Sequence, residues 1–198
     1  MPSDLPAAVL FDMDGTLVDT EGLWWQATAA VAESLGHGGL GPDDVPHVLG
    51  RSVEDTAAHL APADAGAVAV RLTDAFAERI AGGIDLIPGA LDLLRELTAA
   101  GVPTALVTAS PRSIVERVLP NLDGHRFDLV ITAEDSSRGK PYPDPYLKAA
   151  RLLGLRPQEC VAVEDSPAGI AAATSAGCRV VVVDPAHGLP ELHAMSVS

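Results

Sequence analysis

Residues 9–21 read VLFDMDGTLVDTE: an apolar run meets two acids, Asp12 and Asp14, with a glycine and a threonine directly behind them. The run begins at Ala7 and ends at Phe11, and similar short β-like runs recur at Thr104–Val107, Leu129–Ile131, Cys160–Val163 and Val180–Val183. Segments apolar on both faces suit strands buried inside a parallel sheet. Helix patterns with proper ends separate them. Pro88 and Gly89 open one that carries Leu91, Leu94 and Leu97 and stops at Gly101; others span Pro145 to Gly154 and Pro167 to Gly177. This alternation predicts an α/β fold with a Rossmann-like parallel sheet and right-handed crossovers.

The stretch from Asp19 to Gly83 breaks the rhythm, because its patterns are all helical. In EGLWWQATAAVAESLG, helical spacing puts Leu23, Ala27, Ala30, Val31, Ser34 and Leu35 on one face. Ser52 followed by Asp55 reads as an N-cap with an acid in the first turn of SVEDTAAHL. Val68, Leu72, Phe76 and Ile80 then recur at helical intervals before Gly82 and Gly83. The expected organisation is a core of residues 1–18 and 84–198 with a helical cap domain, 19–83, inserted after the first strand. Gly15–Thr20 and Gly82–Gly83 are the two crossings, where a hinge is expected. Asp19 and Thr20 are expected to cap the first inserted helix.

At 198 residues with 47% apolar content the chain can bury a real core, and its 4% aromatic share fits closely packed helix and sheet layers. The net charge of −14, with Lys and Arg scattered, argues against nucleic acid or an anionic membrane as partner. Cys160 and Cys178 lack metal-ligand or CxxC spacing and read as buried free thiols. The start MPSDLPAAVLF has no basic region followed by a long apolar one, so a cytoplasmic protein is expected, with a monomer as the default. The tail GLPELHAMSVS ends soon after the fifth strand-like run, with a short last helix or none.

In an open parallel sheet the ligand lies beyond the carboxyl ends of the strands. Those ends carry Asp12; Thr108 with Ala109 and Ser110; and Glu164, Asp165 and Ser166, while Lys140 follows the third run in RGKPYPDP. Crowded carboxylates repel unless a cation joins them, and oxygen-only donors favour Mg2+.

The ordered set Asp12-Met13-Asp14-Gly15-Thr16, Thr108, Lys140 and Glu164-Asp165 resembles the four motifs of the haloacid dehalogenase-like superfamily over nearly the whole chain. The phrases GKPYPDPY and VEDSPAGI are similar to its branch of β-phosphoglucomutase and small sugar-phosphate phosphatases. The resemblance implies that Asp12 attacks phosphorus to form an aspartyl-phosphate and that Asp14 is the general acid and then base, its pKa raised by crowded carboxylates. It implies phosphoryl contacts from Thr108, Ala109, Ser110 and Lys140, and Mg2+ held by Asp12, the Asp14 carbonyl, Asp165 and Glu164.

The implied substrate is a small phosphorylated metabolite, a sugar or polyol phosphate, read by cap residues among which Arg51 and Trp24 are candidates. The alternative is a phosphosugar mutase. Where the resembling mutase has an arginine and a histidine in its cap, this chain has Val53 in LGRSVEDT and Trp24 in EGLWWQ, which favours hydrolysis; Arg51 keeps a second anion site open. A receiver-like signalling module also gathers acids, a hydroxyl and a lysine, yet gains nothing from the insert or from a second acid at Asp14.

Overall fold

The structure, a computed structural model, describes residues 5–195, so the outermost residues of both expected core segments and the end of the tail lie outside the described residues. Its elements run β1 (Ala8–Phe11), β2 (Val18–Asp19), α1 (Glu21–Ser34), α2 (Val45–Val48), α3 (Val53–Leu60), α4 (Ala65–Ala81), β3 (Asp85–Leu86), α5 (Ala90–Ala100), β4 (Thr104–Val107), α6 (Arg112–Val118), β5 (Leu129–Ile131), α7 (Asp144–Leu152), β6 (Cys160–Glu164), α8 (Pro167–Ala176) and β7 (Arg179–Val182), with short 3-10 turns between some of them.

Five strands form one parallel sheet in the order β5-β4-β1-β6-β7. All four residues of β1 are fully buried because the strand is covered on both faces. Val9 and Phe11 join the larger hydrophobic cluster, while Ala8 and Leu10 join a second cluster on the other face with Tyr146, Ala149, Cys160, Ala172 and Cys178. The strand's period of two thus serves two cores at once. Both cysteines are free and buried, and burial pushes their thiols up to about 11 for Cys160 and about 12 for Cys178.

Between β2 and β3 the described residues form only helices and turns. Ser52 caps α3 by accepting the Asp55 amide at 3.1 Å, and Val68, Leu72, Phe76 and Ile80 form the buried stripe of α4. The face of α1 differs from the expected one. Trp24, Ala27, Thr28, Val31 and Ala32 are buried, whereas Ala30 and Ser34 are exposed, because the bulk of Trp24 packed edge-on against Phe76 rotates the buried stripe. The insert and one face of the sheet share a continuous hydrophobic cluster running from Trp24 and Phe76 to Phe11 and Leu106. β2 and β3 pair antiparallel where the chain leaves for the insert and returns, a two-residue ribbon too short to show periodicity. No helix among the described residues is long and apolar enough to cross a membrane.

Candidate active site

Strand order assembles the site. β1 lies between β4 and β6, so the residues leaving these three strands meet at one rim. The amide of Asp12 continues the ladder to the Val163 carbonyl at 3.0 Å, and that of Thr108 continues to Ile131 at 3.0 Å. Asp12, Asp14, Thr108, Ala109, Ser110, Lys140 and Ser166 line one cavity with Glu21, Trp24, Gly50, Arg51, Val53 and Phe76 from the insert.

Lys140 is buried and its Nζ donates to Asp12 Oδ1 at 2.5 Å and to Glu164 Oε1 at 2.6 Å. Burial disfavours the ammonium, but Asp12 and Glu164 more than offset this, so its pKa is raised and the charge is held. Burial pushes the Asp12 carboxyl up, Lys140 pulls it down, and Glu164, Asp165 and Asp14 push it up again. Glu164 is fully buried. Its Oε1 also accepts the Tyr146 hydroxyl at 2.5 Å, and its Oε2 accepts Ser166 Oγ at 3.3 Å. Tyr146 stands in GKPYPDPY, but a tyrosine on an amphipathic helix reads as core, so its part went unsuspected.

Asp14 is held by three hydroxyls: Thr20 at 2.6 Å on Oδ1, and Ser110 at 2.8 Å and Thr108 at 3.4 Å on Oδ2. Its carboxyl is raised, and the cause is burial rather than crowded carboxylates; the hydroxyls and Lys140 partly offset it. The expected capping role of Thr20 is therefore corrected: it occupies the N-cap position of α1 without a side-chain cap bond, and its hydroxyl turns to Asp14 instead. Asp19 belongs to β2.

Asp165 accepts the Thr16 hydroxyl at 3.0 Å, and burial, followed by the Glu164 charge, pushes it up to about 7. Two glycines make room for this ring of acids. Gly15 has φ +80° and a Cβ on it would lie 2.2 Å from Asp165 Oδ2; a Cβ on Gly169 would lie 1.9 Å from Glu164 Oε1. The carboxylates of Asp12, Glu164 and Asp165 offer oxygens within 4.8 Å of one another, a hard-oxygen donor set that suits a cation such as Mg2+.

Around the remaining wall, Trp24 donates its indole N–H to the Val48 carbonyl at 2.8 Å and packs edge-on against Phe76 at 5.3 Å, so it lines the cavity with apolar surface only. Arg51 also lines the cavity, and its buried Nε has no hydrogen-bond partner. Val53 places an aliphatic side chain there. Arg112, by contrast, pairs with Asp135 at 2.6 Å and is not among the lining residues.

Comparison with known proteins agrees with this arrangement. Over 194 residues the chain is 38% identical to hexitol phosphatase A of Escherichia coli, covering 95% of this chain and 88% of that protein. It is 34% identical over 184 residues to hexitol phosphatase B of the same organism, covering 89% and 82% of the two chains. The crystal structure of CbbY from Rhodobacter sphaeroides in complex with phosphate superimposes with a TM-score of 0.81 at 30% identity, covering 90% of this chain and 86% of that one. Residues 6–177 match the haloacid dehalogenase-like hydrolase family, and the chain belongs to that family.

Proposed function

We propose that the protein is a Mg2+-dependent phosphatase that hydrolyses a small phosphorylated metabolite, a sugar or polyol phosphate, through an aspartyl-phosphate on Asp12. The observation that carries this reading is the pair Asp12 and Asp14 on one cavity, the first ion-paired to Lys140 and the second wrapped in hydroxyls. The names of the two hexitol phosphatases support the substrate class.

A carboxylate oxygen of Asp12 attacks phosphorus while the ester bond to the leaving oxygen breaks, and Asp14, its carboxyl pushed up by burial, gives that oxygen its proton. Asp14 then takes a proton from the water that cleaves the acyl phosphate, which frees inorganic phosphate and returns Asp12. Lys140, Thr108, Ser110 and the Ala109 amide hold the phosphoryl oxygens as charge shifts. Asp12, Asp165 and the Asp14 carbonyl would hold the cation, with Glu164 adding to the shell. When bound, it offsets the negative charge of the phosphate approaching an anionic nucleophile.

Residues 19–83 act as a cap on the core formed by 1–18 and 84–198. The cavity volume is about 50 Å3, room for a few waters and less than a sugar phosphate needs, so entry requires the cap to move away. Val53 and Trp24, both without a charge to offer a second phosphate, support hydrolysis over mutase chemistry.

The test is phosphate release with Mg2+ across sugar, polyol and nucleotide monophosphates, beside Asp12→Asn and Asp14→Asn. Release from a few related polyol or sugar phosphates, lost in Asp12→Asn, supports the reading. Isomer interconversion stimulated by a bisphosphate, with little net release, would make the protein a mutase, and a persistent phospho-aspartate on the wild type would make it a receiver-like module.

A further inference from the structure

Glu21 opens α1 and lines the same cavity as Arg51, yet neither its carboxylate nor the Arg51 guanidinium makes a hydrogen bond or ion pair among the described residues. Opposite charges that share a small cavity and do not meet leave space between them for something that satisfies both. Trp24, Val53 and Phe76 give that cavity its apolar wall on the insert side, facing the polar groups of the core. Unpartnered polar groups in such a wall cost free energy until a ligand supplies their hydrogen bonds.

We propose that Glu21 and Arg51 together read the leaving group and select a neutral polyhydroxylated one. This rests on the phosphatase reading above and adds its specificity determinants. A hydroxyl is the group that both side chains can serve, donating its proton to the Glu21 carboxylate and accepting from the Arg51 N–H groups. A second phosphate at Arg51 would confront the Glu21 charge, so a bisphosphate is disfavoured by like-charge repulsion. A purely apolar leaving group would bury both charges unpaired. Burial, followed by the neighbouring Asp14 and Asp19, raises the half-buried Glu21 carboxyl.

The experiment compares kcat/KM for a hexitol phosphate and for phenyl phosphate in the wild type, Glu21→Gln and Arg51→Met. It is paired with calorimetric titration of the hexitol phosphate and of inorganic phosphate into the same variants built on Asp12→Asn. The expected result is that each variant loses about tenfold of the preference for the hexitol ester over the phenyl ester, the scale of one charged hydrogen bond. Affinity for the hexitol phosphate relative to inorganic phosphate should fall by a similar factor. Unchanged ratios in both measurements overturn the assignment, as does a wild type that prefers fructose bisphosphate or glucosamine phosphate to the hexitol ester. Absence of phosphate release from every ester sinks the phosphatase reading alone, and the titrations still decide whether Glu21 and Arg51 recognise hydroxyls.

Discussion

The carboxylate of Glu164 fills the space that a side chain on Gly169 would occupy, with Oε1 only 1.9 Å from where a Cβ would stand. In an ordinary helix, glycine to alanine gains roughly 1 kcal/mol. Here the sign reverses. Gly169→Ala pushes Glu164 off Lys140 and Tyr146, and a stability loss of about 1–3 kcal/mol is expected from the overpacking. Denaturant unfolding of the two proteins measures it, and an unchanged or raised midpoint would contradict the geometry.

Thr20 is the shortest hydrogen-bond donor to Asp14, at 2.6 Å. Thr20→Val leaves the acid held through Oδ2 alone, by Ser110 and Thr108, and kcat is expected to fall by about tenfold to a hundredfold with KM little changed. Thr20→Ser, which keeps the hydroxyl, should restore most of the loss. Equal loss in both variants would mean that Thr20 acts through packing of its methyl group.

Gly15 combines φ +80° with a Cβ position 2.2 Å from Asp165 Oδ2, so Gly15→Ala faces both backbone strain and a clash with a carboxylate of the acidic ring. Asp165 must rotate away, and Mg2+ affinity read by calorimetry should drop by about 10–100-fold, the range for disturbed ligand orientation. Titration curves that superimpose would show that Asp165 takes no part in holding the cation.

His125 sits far from the acids, its Nε2 3.0 Å from Thr104 Oγ1 and its ring edge-on to Phe127 at 4.6 Å. Burial lowers its pKa in the folded state, with Asp128 opposing. The unfolded chain therefore takes up its proton first. The stability His125 contributes is present above about pH 6.5 and is lost as pH falls through the lower folded value. His125→Gln should flatten the thermal midpoint between about pH 7.5 and about pH 5 relative to the wild type. Parallel curves would exclude His125 as a source of the slope.

The five apolar runs emerged as the five parallel strands, with β4 and β5 bounded as expected and the others shifted by a residue; β1, β4 and β6 are buried on both faces, which leaves an unbroken apolar signature, and the edge strands β5 and β7 carry it although they are only partly buried. The residues leaving those strands were legible for the same reason: a charged side chain directly after such a run has few structural uses. Other features were hidden. Trp24 turned α1 from its expected face through a contact with Phe76, which is 52 positions away in the sequence. Thr20 reads as a helix cap, and only folding shows its hydroxyl, with that of Ser110, turned to Asp14. Tyr146, Gly169 and Glu21 are ordinary in sequence and acquire meaning from the third dimension alone.

Both tryptophans of the sequence stand side by side on α1, and Trp24 faces the cavity with its indole tied to Val48. The sheet and its flanking helices have none. The protein therefore carries its own fluorophore on one jaw of the cleft only, and its ultraviolet emission should follow opening and ligand arrival in real time, without any dye attached.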